Sequence, residues 1–278
     1  MRSIQLVVHP SRPQVAEAVR LMTASCSTAG VSIVQDADGS EGHRKAEAVI
    51  ALGGDGTILR AARIAFEHSI PLLGINLGNL GYLSSVGVEQ IDEAVKSLAA
   101  DTFSEDERMM LDAVAVDADG SSRRVAALNE IVIERDTLSR IIHVHVSVGP
   151  EDVATYAADG FIVSTPTGST AYSLSAGGPV VEPSVDAMIL TSVSAHAPLW
   201  RSIVVGPSRT VTLEIPSDKT GWSADGQGIG TLEKGAKISI RPHEQRLRLI
   251  SLDPQPFFQK LRSRFRIEPN HESHQGHE

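Results

Sequence analysis

Hydrophobic positions repeat with two different periods along this 278-residue chain, and the period changes near Arg108. Before that point apolar runs alternate with helical patterns. Residues 4–8, 31–34, 48–52 and 71–75 read as strands. Pro13 sits where a helix can begin, and Val15, Val19 and Met22 follow at helical spacing. Ile58, Leu59, Ala62 and Phe66 line one face of the next helix, with Arg60, Arg63 and Glu67 opposite; Ile91, Val95 and Leu98 mark a third. Strand–helix alternation of this kind predicts a parallel, Rossmann-like sheet with helices packed on it, an α/β N-terminal domain.

Past Arg108 the period becomes two. Ile142, Val144, Val146 and Val148 alternate with His143, His145 and Ser147, and Val211, Leu213 and Ile215 alternate with Thr210, Thr212 and Glu214. Asp119-Gly120 is a hairpin turn, and further strands fit residues 161–164, 188–193, 238–240 and 247–249. Many short strands and few helices predict an all-β, sandwich-like C-terminal domain. Phe258, Leu261 and Phe265 then return to helical spacing. The reading is an α/β domain over 1–108, a β-rich domain over 109–252, and a frayed polar tail at 270–278.

Composition narrows the classes. Hydrophobic residues make up 41% and charged residues 21%, which excludes wholesale disorder. No apolar run approaches the roughly 20 residues that span a bilayer. The opening MRSIQLVVHP has too short an apolar core for a signal peptide. A single cysteine, Cys26, offers no intramolecular disulfide and no metal cluster, so the expected compartment is the cytoplasm. The net charge of −9 argues against nucleic acid as a partner but leaves room for a bound nucleotide.

Chemistry concentrates in a few segments. Gly53-Gly54-Asp55-Gly56-Thr57 joins a strand to a helix, where backbone N–H groups and the helix dipole favour a phosphate. A carboxylate in such a turn repels bare phosphate, so Asp55 points to a metal partner or to a base for a hydroxyl nucleophile. Arg60, one turn on, can add a cation. Asn129-Glu130 interrupts an apolar run, which is costly unless each group is bonded or faces a ligand. An amide can donate to and accept from a base, and a carboxylate can accept from two ribose hydroxyls. The segment TPTGSTAYSLSAGGP, residues 165–179, is rich in hydroxyls; residues 169–176 fit a short helix closed by Gly177. Thr170, Ser175 and Tyr172 are its candidate ligand contacts.

These segments, together with GINLGNLGYL at 74–83, resemble in order the NAD kinase family over about residues 4–267. The resemblance implies transfer of the terminal phosphoryl of ATP, or of polyphosphate, to the 2′-hydroxyl of the adenosine ribose of NAD. It implies Asp55 as the base, with Gly53, Gly54, Gly56 and Thr57 cradling phosphate. Asn129 is implied at adenine and Glu130 at ribose, with Tyr82, Arg140, Thr167, Ala171, Ser173 and Gln227 as further NAD contacts. Asp159 is implied to hold the dinucleotide, in some members from a neighbouring subunit. Magnesium or manganese accompanies ATP, the state is a homodimer or homotetramer, and a segment near 253–269 returns to the first domain. Departures are Tyr82 where many members have Phe, His9-Pro10-Ser11 in place of an early asparagine, and Ala157-Ala158 where some carry an arginine.

Other signals weigh less. Residues 226–230 contain closely spaced glycines but neither the spacing nor the helix of a dinucleotide fingerprint, and no Walker A motif exists. His271, His274 and His277 belong to the polar tail, His143 and His145 to the outer face of a strand, and His196 to a segment the family places near nicotinamide. The alternatives are a lipid or sugar kinase sharing Gly53–Thr57 chemistry, and a non-catalytic NAD(P)-binding sensor.

Overall fold

Both periodicities fold into the elements they predict. The computed structural model describes residues 1–9, 13–34, 46–78, 81, 83, 84, 86–135, 141–195, 201–216, 219–253 and 256–265. Two compact units emerge, one from the described residues of 1–61, 70–105 and 250 onward, the other from those of 62–69 and 106–249.

The first unit opens with β1 (Ser3–Val8), α1 (Pro13–Ala29), β2 (Ser32–Val34) and β3 (Ala48–Leu52). Then come α2 (Asp55–Glu67, of which 62–67 belong to the second unit), β4 (Leu72–Asn76), β5 (Val86–Gly87), α3 (Ile91–Ala100) and β6 (Ser104–Arg108, of which 106–108 belong to the second unit). The sheet order is β2-β1-β3-β4, with β1–β3 and β3–β4 parallel. Every residue of β3 and β4 is buried, as expected where helices cover both faces of a sheet. Met22 of α1, Ile50 of β3, Ile75 of β4 and Leu98 of α3 share one core. Helix α2 contains the predicted apolar stretch and starts earlier, at Asp55, with Ile58, Ala61, Ala62 and Ala65 buried along it.

The second unit holds β7 (Leu111–Val116), β8 (Ser122–Ala127), β9 (Glu130–Arg135), β10 (Ile142–Val148), β11 (Glu151–Ala158) and β12 (Gly160–Ser164). After the four-residue α4 (Tyr172–Ser175) follow β13 (Met188–Val193), β14 (Ile203–Val205), β15 (Val211–Glu214), β16 (Thr220–Ala224), β17 (Gln227–Leu232) and β18 (Lys237–Pro242). They form two six-stranded sheets, β11-β10-β15-β18-β7-β8 and β14-β13-β12-β9-β16-β17. Val144, Leu213 and Ile238 from one sheet and Ile133, Phe161 and Trp222 from the other share a single core, the arrangement of a β-sandwich. Alternation along β10 follows the expected pattern, with Ile142, Val144, Val146 and Val148 buried.

The strand fitted to residues 247–249 is β19 (Leu247–Ser251), which pairs between β4 and β6 in the sheet order, while residues up to 249 belong to the second unit. Helix α5 (Phe257–Phe265) follows in the first unit, but it buries none of its residues, and Phe258 and Phe265 stay exposed.

Candidate active site

In the first unit, Asp55 opens α2 directly after the two glycines that leave β3. The N–H groups of Asp55 and Gly56 lie in the first turn, which has no intrahelical acceptor for them. Thr57 N–H and Ile58 N–H turn back to the Gly54 carbonyl at 2.9 and 3.2 Å. Asp55 Oδ1 is buried without a hydrogen-bond partner. A carboxylate spent on capping its own helix would accept there from a backbone N–H, so the capping reading loses its main support. Burial pushes the Asp55 carboxyl up, opposed by the Arg264 guanidinium, which lies 3.7 Å from Oδ2. Arg264 comes from α5, some two hundred residues along the chain, and was not singled out in the sequence. Arg60, proposed as a phosphate cation, is exposed and donates to the Val8 carbonyl.

Gly81, beyond β4, lies against the same carboxylate. Gly78 N–H donates to Asn76 Oδ1 at 3.0 Å, and Gly81 N–H to Ser84 Oγ at 3.0 Å. A Cβ on Gly81 would stand 2.1 Å from Asp55 Oδ1. Gly81→Ala therefore displaces the Asp55 carboxylate rather than the fold. Turnover should fall about 10²-fold, as expected when a reacting group moves by an ångström, while the melting temperature stays close to wild type. Unchanged turnover with the alanine in place would show that the carboxylate position does not matter.

In the second unit, the chain crosses from one sheet to the other between β8 and β9, and Asn129 and Glu130 stand at that crossing. Glu130 pairs in register with Ser164 of β12, which leads directly into the hydroxyl-rich segment. Thr165 locks the two together: its Oγ donates to Leu128 O at 2.6 Å and its N–H to Asn129 O at 2.8 Å. Gly168 is required at the next contact, since a Cβ there would lie 2.1 Å from the Asn129 carbonyl oxygen.

The predicted single short helix is instead broken. A 3-10 turn over Gly168–Thr170 stops at Ala171, whose φ of −101° and ψ of −126° leave the helical region before α4 begins. Just after that break, the Tyr172 N–H lies near the Glu130 carboxyl and favours its ionised form. Glu130 is otherwise poorly served. It is 5% exposed, and its Oε2 has no hydrogen-bond partner. Burial, reinforced by the neighbouring Asp225 carboxylate, pushes its carboxyl up to about 8. Burial and the carboxylates of Glu134, Asp159 and Glu130 likewise push the Tyr172 phenol up.

The structure sorts the hydroxyls of this segment into two sets. Ser169 and Ser173 are fully buried, bonded to Pro166 O at 2.7 Å and Thr191 Oγ at 3.1 Å respectively. Thr167 is also buried and accepts from Arg108 Nη1 at 3.4 Å. Tyr172 and Ser175 are exposed, with Thr170 and Ala171 half-buried beside them. Asp159 precedes β12 and pairs with Arg135 at 3.1 Å. Gln227 begins β17, opposite Ala224. The glycines of 226–230 therefore belong to a hairpin. Tyr82, Arg140, His196 and the 270–278 tail lie outside the described residues.

Known proteins resemble the chain over most of its length. The model of the ATP-NAD kinase N-terminal domain matches residues 6–103, and that of the ATP-NAD kinase C-terminal domain residues 128–252. The chain is 40% identical over 223 residues to an NAD kinase of Heliobacterium modesticaldum, covering 80% of this chain and 79% of the relative. An NAD kinase of Natranaerobius thermophilus is 34% identical over 279 residues, covering 94% and 96%. Among solved structures, an NAD kinase from Archaeoglobus fulgidus in complex with ATP superposes with a TM-score of 0.74 at 27% identity, over 95% of this chain and 99% of that one. Yeast NADH kinase complexed with NADH shares the fold, with a TM-score of 0.87 at 21% identity, over 96% and 88%.

Proposed function

The chain belongs to the ATP-NAD kinase family, and we propose that it transfers the terminal phosphoryl group of ATP to the adenosine ribose 2′-hydroxyl of NAD, giving NADP. The observation that carries this reading is the unpartnered, buried Oδ1 of Asp55 at the N-terminus of α2. That oxygen is free to take the hydroxyl proton as the 2′-oxygen attacks the terminal phosphorus and ADP leaves. Backbone N–H groups around Gly54–Thr57 hold phosphate oxygens, and the helix dipole stabilises their charge. Phosphoryl transfer needs little covalent help, so positioning and charge neutralisation supply most of the acceleration. Recognition falls to the second unit. Asn129 reads adenine, Glu130 accepts from ribose hydroxyls, and Tyr172, Thr170, Ser175 and Gln227 complete the contacts.

A divalent ion accompanies the nucleotide. Among the described residues no group of three His, Cys, Asp or Glu side chains could hold one by itself. The donor set that fits is therefore the triphosphate oxygens, with Asp55 the one carboxylate of this turn able to join them. Bound there, the ion would neutralise the charge that builds on the transferred phosphoryl. No helix among the described residues is long and apolar enough to cross a membrane. On its single, free cysteine we place the enzyme in the reducing cytoplasm.

The test incubates purified chain with NAD, ATP and Mg²⁺ and reads NADP with a NADP-specific dehydrogenase, with diacylglycerol as a competing acceptor. No NADP from folded protein overturns the reading; phosphorylated diacylglycerol replaces it. We further propose a homo-oligomer in which Asp159 of one subunit completes the dinucleotide site of another. Inactive Asp55→Asn and Asp159→Ala chains, mixed under proven subunit exchange, should then regain part of the activity. Failure to complement would confine each site to one chain.

A further inference from the structure

The turn between β16 and β17 has Asp225 and Gly226 as its central residues, with φ of 50° and 71°. Positive φ at both positions is what a two-residue turn between twisted antiparallel strands needs, and Asn-Gly serves it as well as Asp-Gly. The carboxylate of Asp225 is thus not required by the turn, yet it is fully engaged elsewhere. Its Oδ1 accepts the N–H groups of Asn129 at 2.7 Å and Glu130 at 3.2 Å, and its Oδ2 that of Leu128 at 2.9 Å. Its own N–H donates to the Glu130 carbonyl at 3.0 Å. One residue therefore pins the backbone at the crossing between sheets from both sides.

We propose that Asp225 is a positioning residue for dinucleotide recognition: it fixes the backbone that carries Asn129 and Glu130 and presents a fixed negative charge to the Glu130 carboxyl. The inference rests on the assignment of those two residues to NAD. The groups facing the two carboxyls are Tyr172 of α4, whose N–H meets Glu130, and Arg63 of α2, whose charge acts on Asp225. Burial pushes Asp225 up as well, but three N–H donors and Arg63 favour its ionised form. Glu130 has fewer donors and an orphaned oxygen, and its carboxyl is pushed up to about 8, so it carries a proton at neutral pH. Ribose hydroxyls are best accepted once that proton has left. Asp225 thereby sets both where Glu130 stands and the pH at which it becomes an acceptor.

The two roles separate in the pH dependence of kcat/KM for NAD, which reports groups of the free enzyme. In the wild type it should rise as Glu130 loses its proton near pH 8. In Asp225→Asn the rise should move at least about one pH unit lower, because the repelling charge is gone. Its plateau should lie about tenfold lower through KM, with kcat changing far less. A purely structural turn residue would lower the plateau and leave the midpoint in place, and that result overturns the inference. A wild-type enzyme that makes no NADP would instead sink the functional reading. In that case, or if Asp225→Asn fails to fold, the wild-type minus Glu130→Gln infrared difference at pH 7 decides. A protonated carboxyl band supports the inference, and a carboxylate band overturns it.

Discussion

Replacing Asp55 by Asn is expected to lower the turnover number by about 10²–10⁴, some 3–5 kcal/mol of transition-state stabilisation, while NAD affinity changes far less. Asn keeps the size and the hydrogen-bonding reach of Asp but cannot accept the ribose proton. If Asp55 were only a helix cap, the same substitution would cost little, because Asn caps about as well as Asp. Stopped-flow or coupled assays of NADP formation at saturating NAD and ATP make the measurement. A variant keeping more than about a tenth of wild-type turnover would remove the base from the mechanism. A steep rise in the Mg²⁺ requirement would instead assign the carboxylate to the metal. Arg264 supplies an internal control. Its guanidinium holds the Asp55 carboxyl down against burial. Arg264→Gln should therefore move the acidic limb of the pH–rate profile upward, since Asp55 must be ionised to act.

Arg264 also marks where sequence reading stopped. The strand–turn–helix around Asp55 was legible because each part is local: a buried five-residue strand, two glycines, and an apolar face at 3.6-residue spacing. A salt bridge from α5 is not local, and nothing in the spacing of Phe258, Leu261 and Phe265 says which arginine of that helix meets which carboxylate. Residues 247–249 show a related limit. Period two identifies a strand, but its sheet depends on the hydrogen bonds offered by β4 and β6, far away in the chain.

The hydroxyl-rich segment shows a subtler limit. Sequence singled out Thr170 and Ser175 here but could not say which of the other hydroxyls folding would bury. Thr165, Ser169 and Ser173 answer backbone and side-chain groups within the unit, as buried hydroxyls must. Those left exposed, with Tyr172, form the candidate contact surface. Asp225 escaped notice altogether. Asp-Gly announces a hairpin turn from sequence alone, but that its carboxylate reaches Leu128, Asn129 and Glu130 follows from β16 pairing beside β9.

Glu130→Gln should make the unliganded chain more stable in base while weakening its hold on NAD. In the native state the Glu130 carboxyl keeps its proton up to about pH 8, against an ordinary value of 4.5. A carboxyl raised on folding takes up a proton between those values, so stability falls as pH rises through that window. Below about pH 4.5 both folded and unfolded chains hold a neutral side chain, and Glu and Gln should be nearly equivalent. Above pH 8 the wild type must bury a charge that Gln does not carry. At about 1.4 kcal/mol for each pH unit between the two values, that difference reaches about 3–5 kcal/mol. Urea unfolding of both proteins at pH 5 and pH 9 measures it; equal gaps at the two pH values would show that Glu130 titrates normally. The same substitution removes an acceptor for ribose hydroxyls, so KM for NAD should rise about tenfold or more, as when one charge-assisted hydrogen bond is lost. A residue whose neutral isostere improves the empty fold and impairs the loaded one is placed for its ligand, not for its neighbours.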